Sequence, residues 1–245
     1  MNRFVILSGP SCVGKSPLVR ALAKLRPDLW RRLSAPVLYN CRKPRPGEVD
    51  GETYHFRSRR HLESLRGRDD YLVMDVRDDV QALALADLWA ALEGGRDAFF
   101  EGNPYIAAGL MEALAGRHVP VLSIFMSPVS AAELAHLRAE APDQVADIIT
   151  DIMRRKLLRR TRRQKGILAL PDLADIESRC GAAYRELAYA PGFQWVLPNH
   201  DGEDSENWDA FYYPLGDARK CTEDLIGLLE GAAPRFAETW AAEDE

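Results

Sequence analysis

Cysteine is scarce in this chain. Four occur in 245 residues: Cys12, Cys41, Cys180 and Cys221. None forms a C-x-x-C pair or joins histidine at zinc-ligand spacing, which excludes the common zinc and dithiol motifs. Scattered single cysteines suit a reducing compartment better than a disulfide framework, so the chain reads as cytoplasmic. Long apolar runs are also missing. Phe4-Val5-Ile6-Leu7 runs at once into glycine and proline and is too short for a signal-peptide core. No stretch approaches the ~20 residues of a membrane span, and no membrane partner is expected. There is no excess of positive charge. The net charge of -5 excludes blanket coating of nucleic acid, so any basic function must be local. Internal repeats and low-complexity linkers are absent too.

What is present is an ordinary globular composition, 47% hydrophobic and 28% charged, enough for a real core. Residues 3–8 read as a buried strand of a parallel sheet. Residues 15–25 read as a helix, with Leu18, Ala21, Leu22 and Leu25 at helical spacing before Pro27. Strand, glycine loop and helix in that order open an α/β domain. Further along, residues 40–56 read as loop or short strands. Residues 61–67 and 80–92 read as helices, and 98–101 and 119–126 as strands. Residues 130–163 read as helical with a break near Pro142. Helix 173–188, strand 193–197 and helix 218–229 follow. The pattern predicts a single domain with a central parallel sheet flanked by helices. Its core covers about 1–37, 95–128 and 190–230, with about 38–92 and a helical insertion over about 130–175 set apart from it. The tail beyond Gly231 is small and acidic, with its docking left open.

Gly9-Pro10-Ser11-Cys12-Val13-Gly14-Lys15-Ser16 matches the phosphate-loop pattern G-x-x-x-x-G-K-[ST] in full, after a buried strand and before a helix. Glycines let backbone N–H groups turn toward phosphate oxygens, and the helix N-terminus adds partial positive charge. Lys15 is placed to reach the β- and γ-phosphates and Ser16 to hold magnesium. Pro17 falls in the first helical turn, where its missing N–H costs little. Residues 9–17 are therefore the expected ATP-binding segment, with ATP and Mg2+ as the expected ligands.

A second motif runs from Cys41 to Phe56. Arg42-Lys43-Pro44-Arg45-Pro46-Gly47-Glu48, with Gly51, Tyr54 and Phe56, closely resembles the T-R-x-P-R-x-G-E-x-x-G-x-x-Y-x-F stretch of guanylate kinases. The resemblance covers residues 3–56 well, is patchy over 60–128, and returns in part over about 155–201. It implies a P-loop kinase fold with an acceptor-binding region over about 38–92 and an inserted helical lid over about 130–175, and a nucleoside monophosphate or related small phosphate as acceptor. Arg42, Arg45 and Tyr54 would grip the acceptor phosphate, a role that suits two guanidinium forks and a phenol. Glu101 would contact a metal-bound water or the acceptor, and Asn103 replaces another acidic position of the family. Arg160 or Arg163 on the basic stretch, and Arg179 beyond it, would stabilise charge on the migrating phosphoryl group. Asn199 and Asp201 resemble a loop that lies against the donor adenine, although a turn explains them equally well.

The same resemblance breaks at the base reader. Its serine falls on Leu38, its glutamate near Val73, and its tyrosine and serine among residues 80–84. Apolar replacements leave a guanine edge unpaired, so the expectation is a kept phosphate grip and a changed acceptor. Asp75, Asp78 and Gln81 are candidate replacement readers, with exposed loop carboxylates as the plainer alternative. Residues 130–152 read as an insertion. The arginines of 154–163 leave a polynucleotide acceptor as one alternative, and a non-catalytic scaffold is another. The aromatic segment 207–217 reads as packing or as a pocket wall. The oligomeric state is left open.

Overall fold

The computed structural model describes residues 2–45 and 47–241, so Pro46 of the acceptor loop and the acidic end of the tail lie outside the described residues. In chain order the strands are β1 (Phe4–Ser8), β2 (Leu33–Ser34), β3 (Tyr39–Asn40), β4 (His55–Phe56), β5 (Tyr71–Val76), β6 (Asp79–Ala84), β7 (Asp97–Glu101), β8 (Val121–Ser127) and β9 (Trp195–Pro198). The helices are α1 (Lys15–Leu25), α2 (Pro27–Arg32), α3 (Arg59–Glu63), α4 (Leu85–Glu93), α5 (Pro104–Leu114), α6 (Ala131–Glu140), α7 (Val145–Lys165), α8 (Leu170–Gly181), α9 (Ala183–Leu187) and α10 (Gly216–Glu230). The central sheet runs β2-β7-β1-β8-β9 and a second sheet β4-β3-β6-β5. This is the expected α/β fold. Two compact units divide the chain: Met1–Ile6 with Arg32–Leu122, and Leu7–Arg31 with Ser123–Glu245. Among the described residues no helix is long and apolar enough to cross a membrane.

In the first unit β2 pairs parallel with β7, and the Phe4 and Trp89 rings meet in a T-shaped contact with centroids 5.2 Å apart. The second sheet is built on β6, which pairs antiparallel with β5 over six residue pairs and with β3 through Tyr39↔Ala82 and Asn40↔Gln81. One face of this sheet packs on α3, where Leu62 and Leu65 meet Val73, Val80 and Ala82. The helix expected over 80–92 is therefore corrected: 79–84 is a strand and only 85–93 is helical. Val80, Leu83 and Ala84 happen to fit helical spacing. Burial on both faces and a full ladder of backbone hydrogen bonds override the helix propensity of Ala and Leu. The same pairing makes Tyr71–Val76 a strand, a stretch with no element assigned from the sequence.

All five β1 residues are buried, and in the second unit α1 buries Pro17, Leu18, Ala21 and Leu22. α6 starts with a capping box, Ser130 Oγ accepting from Glu133 N–H and the Glu133 carboxylate from Ser130 N–H. It stops at Ala141, before a 3-10 turn at Pro142–Gln144, as the proline predicts. β9 pairs parallel with β8. The tail does dock. Val196 and Glu238 exchange two backbone hydrogen bonds of 2.8 Å, and the Asp224 carboxylate accepts from the N–H groups of Arg235, Phe236 and Ala237.

Candidate active site

The phosphate loop leaves the carboxyl end of β1, where open α/β sheets bind ligands. Gly9 has φ +139° and Gly14 φ +113°. Both glycines are required by space as well as by φ. A Cβ on Gly14 would sit 2.5 Å from Asn199 Nδ2 and 3.0 Å from Trp208 Cζ2. Lys15 Nζ donates to the loop carbonyls of Gly9 at 2.6 Å and Pro10 at 2.8 Å. Arg179, buried on α8, donates Nε to Ser11 Oγ at 2.7 Å, and its Nη2 donates to the same oxygen. Asn199 is fully buried and donates Nδ2 to Val13 O at 2.7 Å, so its side chain braces the loop. Burial pushes the Cys12 thiol up to about 12, with Arg160 opposing and Glu203 and Asp204 adding to the rise. Cys12 is a packed thiol and not a nucleophile.

Sequence reading missed the acidic side of this site. Glu203 N–H donates to Cys12 O at 2.9 Å, and the Glu203 carboxylate accepts from Arg160 Nη1 at 2.8 Å. Burial alone would raise the Glu203 pKa, but Arg160, Lys15 and Arg179 together hold it below the usual carboxylate range. Arg160 Nε is buried without a partner. Arg163 is more exposed and donates to Asp204 O and to Glu206. Three more cations of the basic run are paired with acids: Arg154 with Asp151 and Glu177, Arg159 with Asp204, and Lys165 with Asp172, whereas Arg155 and Lys156 donate to the backbone carbonyls of Asp151 and Asn199. Trp208 is buried and donates to Gly202 O at 2.6 Å, whereas Phe211, Tyr212 and Tyr213 are exposed. Asp201 accepts from Ser205, Asn207 and the Ala218 N–H, the work of a turn and helix cap.

His200 bridges two helices through Glu133 on α6, 2.8 Å from Nε2, and Asp217 on α10, 2.5 Å from Nδ1. Burial alone would lower its pKa, but the two carboxylates outweigh burial and raise it. A raised folded-state pKa gives stability that is complete below the ordinary histidine range and is lost as pH rises through the folded value. The thermal midpoint should therefore fall as pH climbs from 6 toward 9, and His200→Gln should flatten that part of the profile. An NMR titration placing the His200 pKa at or below its ordinary value would contradict this.

The acceptor loop belongs to the first unit and lies between β3 and β4. Arg42 makes a bidentate pair with Glu48, at 2.6 and 2.5 Å. Its guanidinium lies over the rings of Tyr54 at 5.2 Å and Phe56 at 5.6 Å. Glu48 also accepts from the Arg45 N–H at 2.6 Å. The Tyr54 phenol is pushed up by burial, with Arg42 opposing. Gly51, at φ +85°, donates its N–H to Tyr54 O and closes the turn. Asp75 lies on β5, exposed and paired with Arg66 at 3.3 Å, instead of on a loop. Val73 packs in the α3 core, while Met74 stands opposite Gln81. Glu101 ends β7, and Asn103 caps α5 by accepting from Ile106 N–H at 3.1 Å.

A parallel α/β sheet with a phosphate loop between its first strand and first long helix defines a P-loop protein. This one belongs to the guanylate kinase family, whose model matches residues 1–157. Similar proteins include the guanylate kinase of Rhizobium meliloti, 36% identical over 146 residues, covering 58% of this chain and 64% of that protein. The guanylate kinase of Cereibacter sphaeroides is 34% identical over 155 residues, covering 62% and 71%. The matches to the first relatives span less than two thirds of their length, 64% for Rhizobium meliloti and 34% for Trichormus variabilis. The crystal structure of guanylate kinase from Anaplasma phagocytophilum shares the fold, with a TM-score of 0.56 at 16% identity over 94% of this chain and 85% of that one.

Proposed function

We propose that this chain transfers the γ-phosphoryl group of ATP to a nucleoside monophosphate or a related small phosphate, with magnesium. The observation that carries the reading is the complete phosphate loop. Its shape depends on Gly9 and Gly14, and Asn199, Arg179 and Glu203 brace it from outside. The fit to a triphosphate is supported by the cations grouped around Glu203 and by the buried, unspent Nε of Arg160. Unpaired buried donors are rare and costly, and a phosphate oxygen is a matching acceptor. Magnesium, when bound, supplies charge neutralisation between the phosphates. Ser16 would hold it, since magnesium beside phosphates needs few protein oxygens.

In this reading Lys15 leaves the loop carbonyls for the β- and γ-phosphates, and Arg160 and Arg179 stabilise charge on the transferring group. Arg163, more exposed and tied to Asp204 and Glu206, is the weaker candidate for that role. Arg42, Arg45 and Tyr54 hold the acceptor phosphate, whose oxygen is already nucleophilic near neutral pH. Glu101 serves on the acceptor side, whereas Asp75 is spent on Arg66. The pairing of Arg154, Arg159, Arg160, Arg163 and Lys165 with acids favours a small acceptor over a polynucleotide, because paired charges release few counterions. The intact loop favours an enzyme over a scaffold.

The test is a magnesium–ATP phosphotransfer assay over nucleoside monophosphates and sugar phosphates, with Lys15→Ala as the control. Within it, Arg42→Ala should raise the acceptor KM about 10- to 100-fold, the scale of lost charge-assisted bonds, and leave the ATP KM unchanged. An unchanged acceptor KM would sink the assignment of Arg42.

A further inference from the structure

The fate of each amide atom in the acceptor region can be worked out from backbone donors. Asn103 Oδ1 accepts from the Ile106 N–H at the start of α5. Its Nδ2 must therefore be the donor to Gln81, at 2.9 Å. That makes the Gln81 atom in contact an acceptor, Oε1, and leaves Gln81 Nε2 unspent. Asn40 is settled the same way. Its Oδ1 accepts from the Arg42 N–H at 3.1 Å, and its Nδ2 is buried with no partner. Backbone N–H groups can only donate, so they determine the orientation of the side-chain amides they meet.

Asn40 and Gln81 are directly opposed on β3 and β6. Opposed residues project to the same face of a sheet. Asn40 is fully buried and Gln81 nearly so. Two unspent amide nitrogens thus share one face, two residues from the phosphate-gripping Arg42. Of the two, Asn40 Nδ2 is the donor that is buried without an acceptor, which is costly and calls for a partner.

We infer that Asn40 and Gln81, with Asn103 as the positioning residue that orients Gln81, determine acceptor specificity by donating to an edge rich in carbonyl or hydroxyl oxygens. The inference rests on the kinase reading above and names its substrate class. On its Watson–Crick edge guanine turns N1–H and an amino group outward beside one carbonyl, so donors would face donors there, and only its O6/N7 edge offers acceptors. Uracil and thymine present two carbonyls, and a sugar phosphate presents hydroxyls. Either source supplies the acceptors that these nitrogens need.

The experiment is calorimetric binding of GMP, UMP, dTMP and ribose 5-phosphate to the full chain and to two near-isosteric variants, Gln81→Glu and Asn40→Asp. Each variant replaces a donor nitrogen with an oxygen and keeps the oxygen already in use. At least one of UMP, dTMP and ribose 5-phosphate should bind about tenfold or more tighter than GMP, the scale set by an unpaired polar group. Both variants should erase or reverse that ratio, with the thermal midpoint reporting that each is folded. If Asn40→Asp does not fold, Gln81→Glu alone decides. The tightest ligand then tells a pyrimidine edge from a polyol. GMP binding as tightly as every other ligand, no binding by any of the four, or a ratio unchanged in the folded variants would overturn the inference. Failure of the kinase reading is separate, because it is read as the absence of Lys15-dependent transfer and leaves the binding ratios intact.

Discussion

Lys15→Ala should reduce magnesium–ATP phosphotransfer by at least about a hundredfold, toward the assay background. Transferring a phosphoryl group asks the protein mainly for positioning and charge stabilisation, and removing one well-placed group of that kind costs about 10²–10³ in kcat. Lys15 is well placed for it. It opens α1 at the end of the loop and is held by the carbonyls of Gly9 and Pro10. Those two bonds also brace the loop, so the variant must be shown to be folded by its thermal midpoint before the loss is assigned to chemistry. The nearby cations Arg160 and Arg179 remain in the variant, so ATP should still bind, more weakly. Turnover within a few-fold of the unsubstituted chain would remove Lys15 from the mechanism and with it the phosphotransfer reading of this loop.

Gly9→Ala should be the most destabilising single methyl that can be added here, at about 3 kcal/mol or more, the range reserved for strain or backbone clash in a core. At φ +139° the backbone is already strained for an L side chain. The added Cβ would also lie 2.3 Å from Met126 O and 3.2 Å from Met126 C and N. Met126 is on β8, the neighbour of β1 in the central sheet. The clash is with backbone in a paired strand, where no rotamer change gives relief. Gly231→Ala is the matched control. It has φ +84° at the end of α10, but nothing lies within 4 Å of the added atom. Its cost should stay near 1 kcal/mol, the conformational term alone. Denaturant titration of both variants measures the difference. Equal losses would mean that the space at Gly9 is not limiting.

Much of this molecule is local and was therefore readable. The strand at 4–8 and the helix at 15–25 follow from an apolar run and a helical period, and α1 has the expected bounds. The break at Pro142 follows from a missing N–H and the proline ring. The family is legible because its phosphate and acceptor motifs are contiguous stretches whose residue types are dictated by loop geometry, and the match over residues 1–157 bears that out.

What resisted reading was non-local. Residues 79–84 carry a helical pattern and the helix-forming residues Ala and Leu, but partners on β3 and β5, distant in sequence, make them a strand. That pairing sets Gln81 opposite Asn40, a residue with no mark in the sequence that it ends with an unpaired buried amide. Glu203 is an unremarkable acid after a turn until folding brings it to Cys12 O and Arg160. By itself the sequence determined the fold class and the family, and it marked the phosphate loop and the proposed acceptor grip, because each rests on periodicity or on a short contiguous motif. Tertiary structure alone decided which face of the second sheet each side chain takes, which amide atoms remain unspent, and which acids hold the arginines. The physical reason is that strand register, burial and ion pairing depend on contacts between residues far apart in the chain, and local propensity carries no record of them.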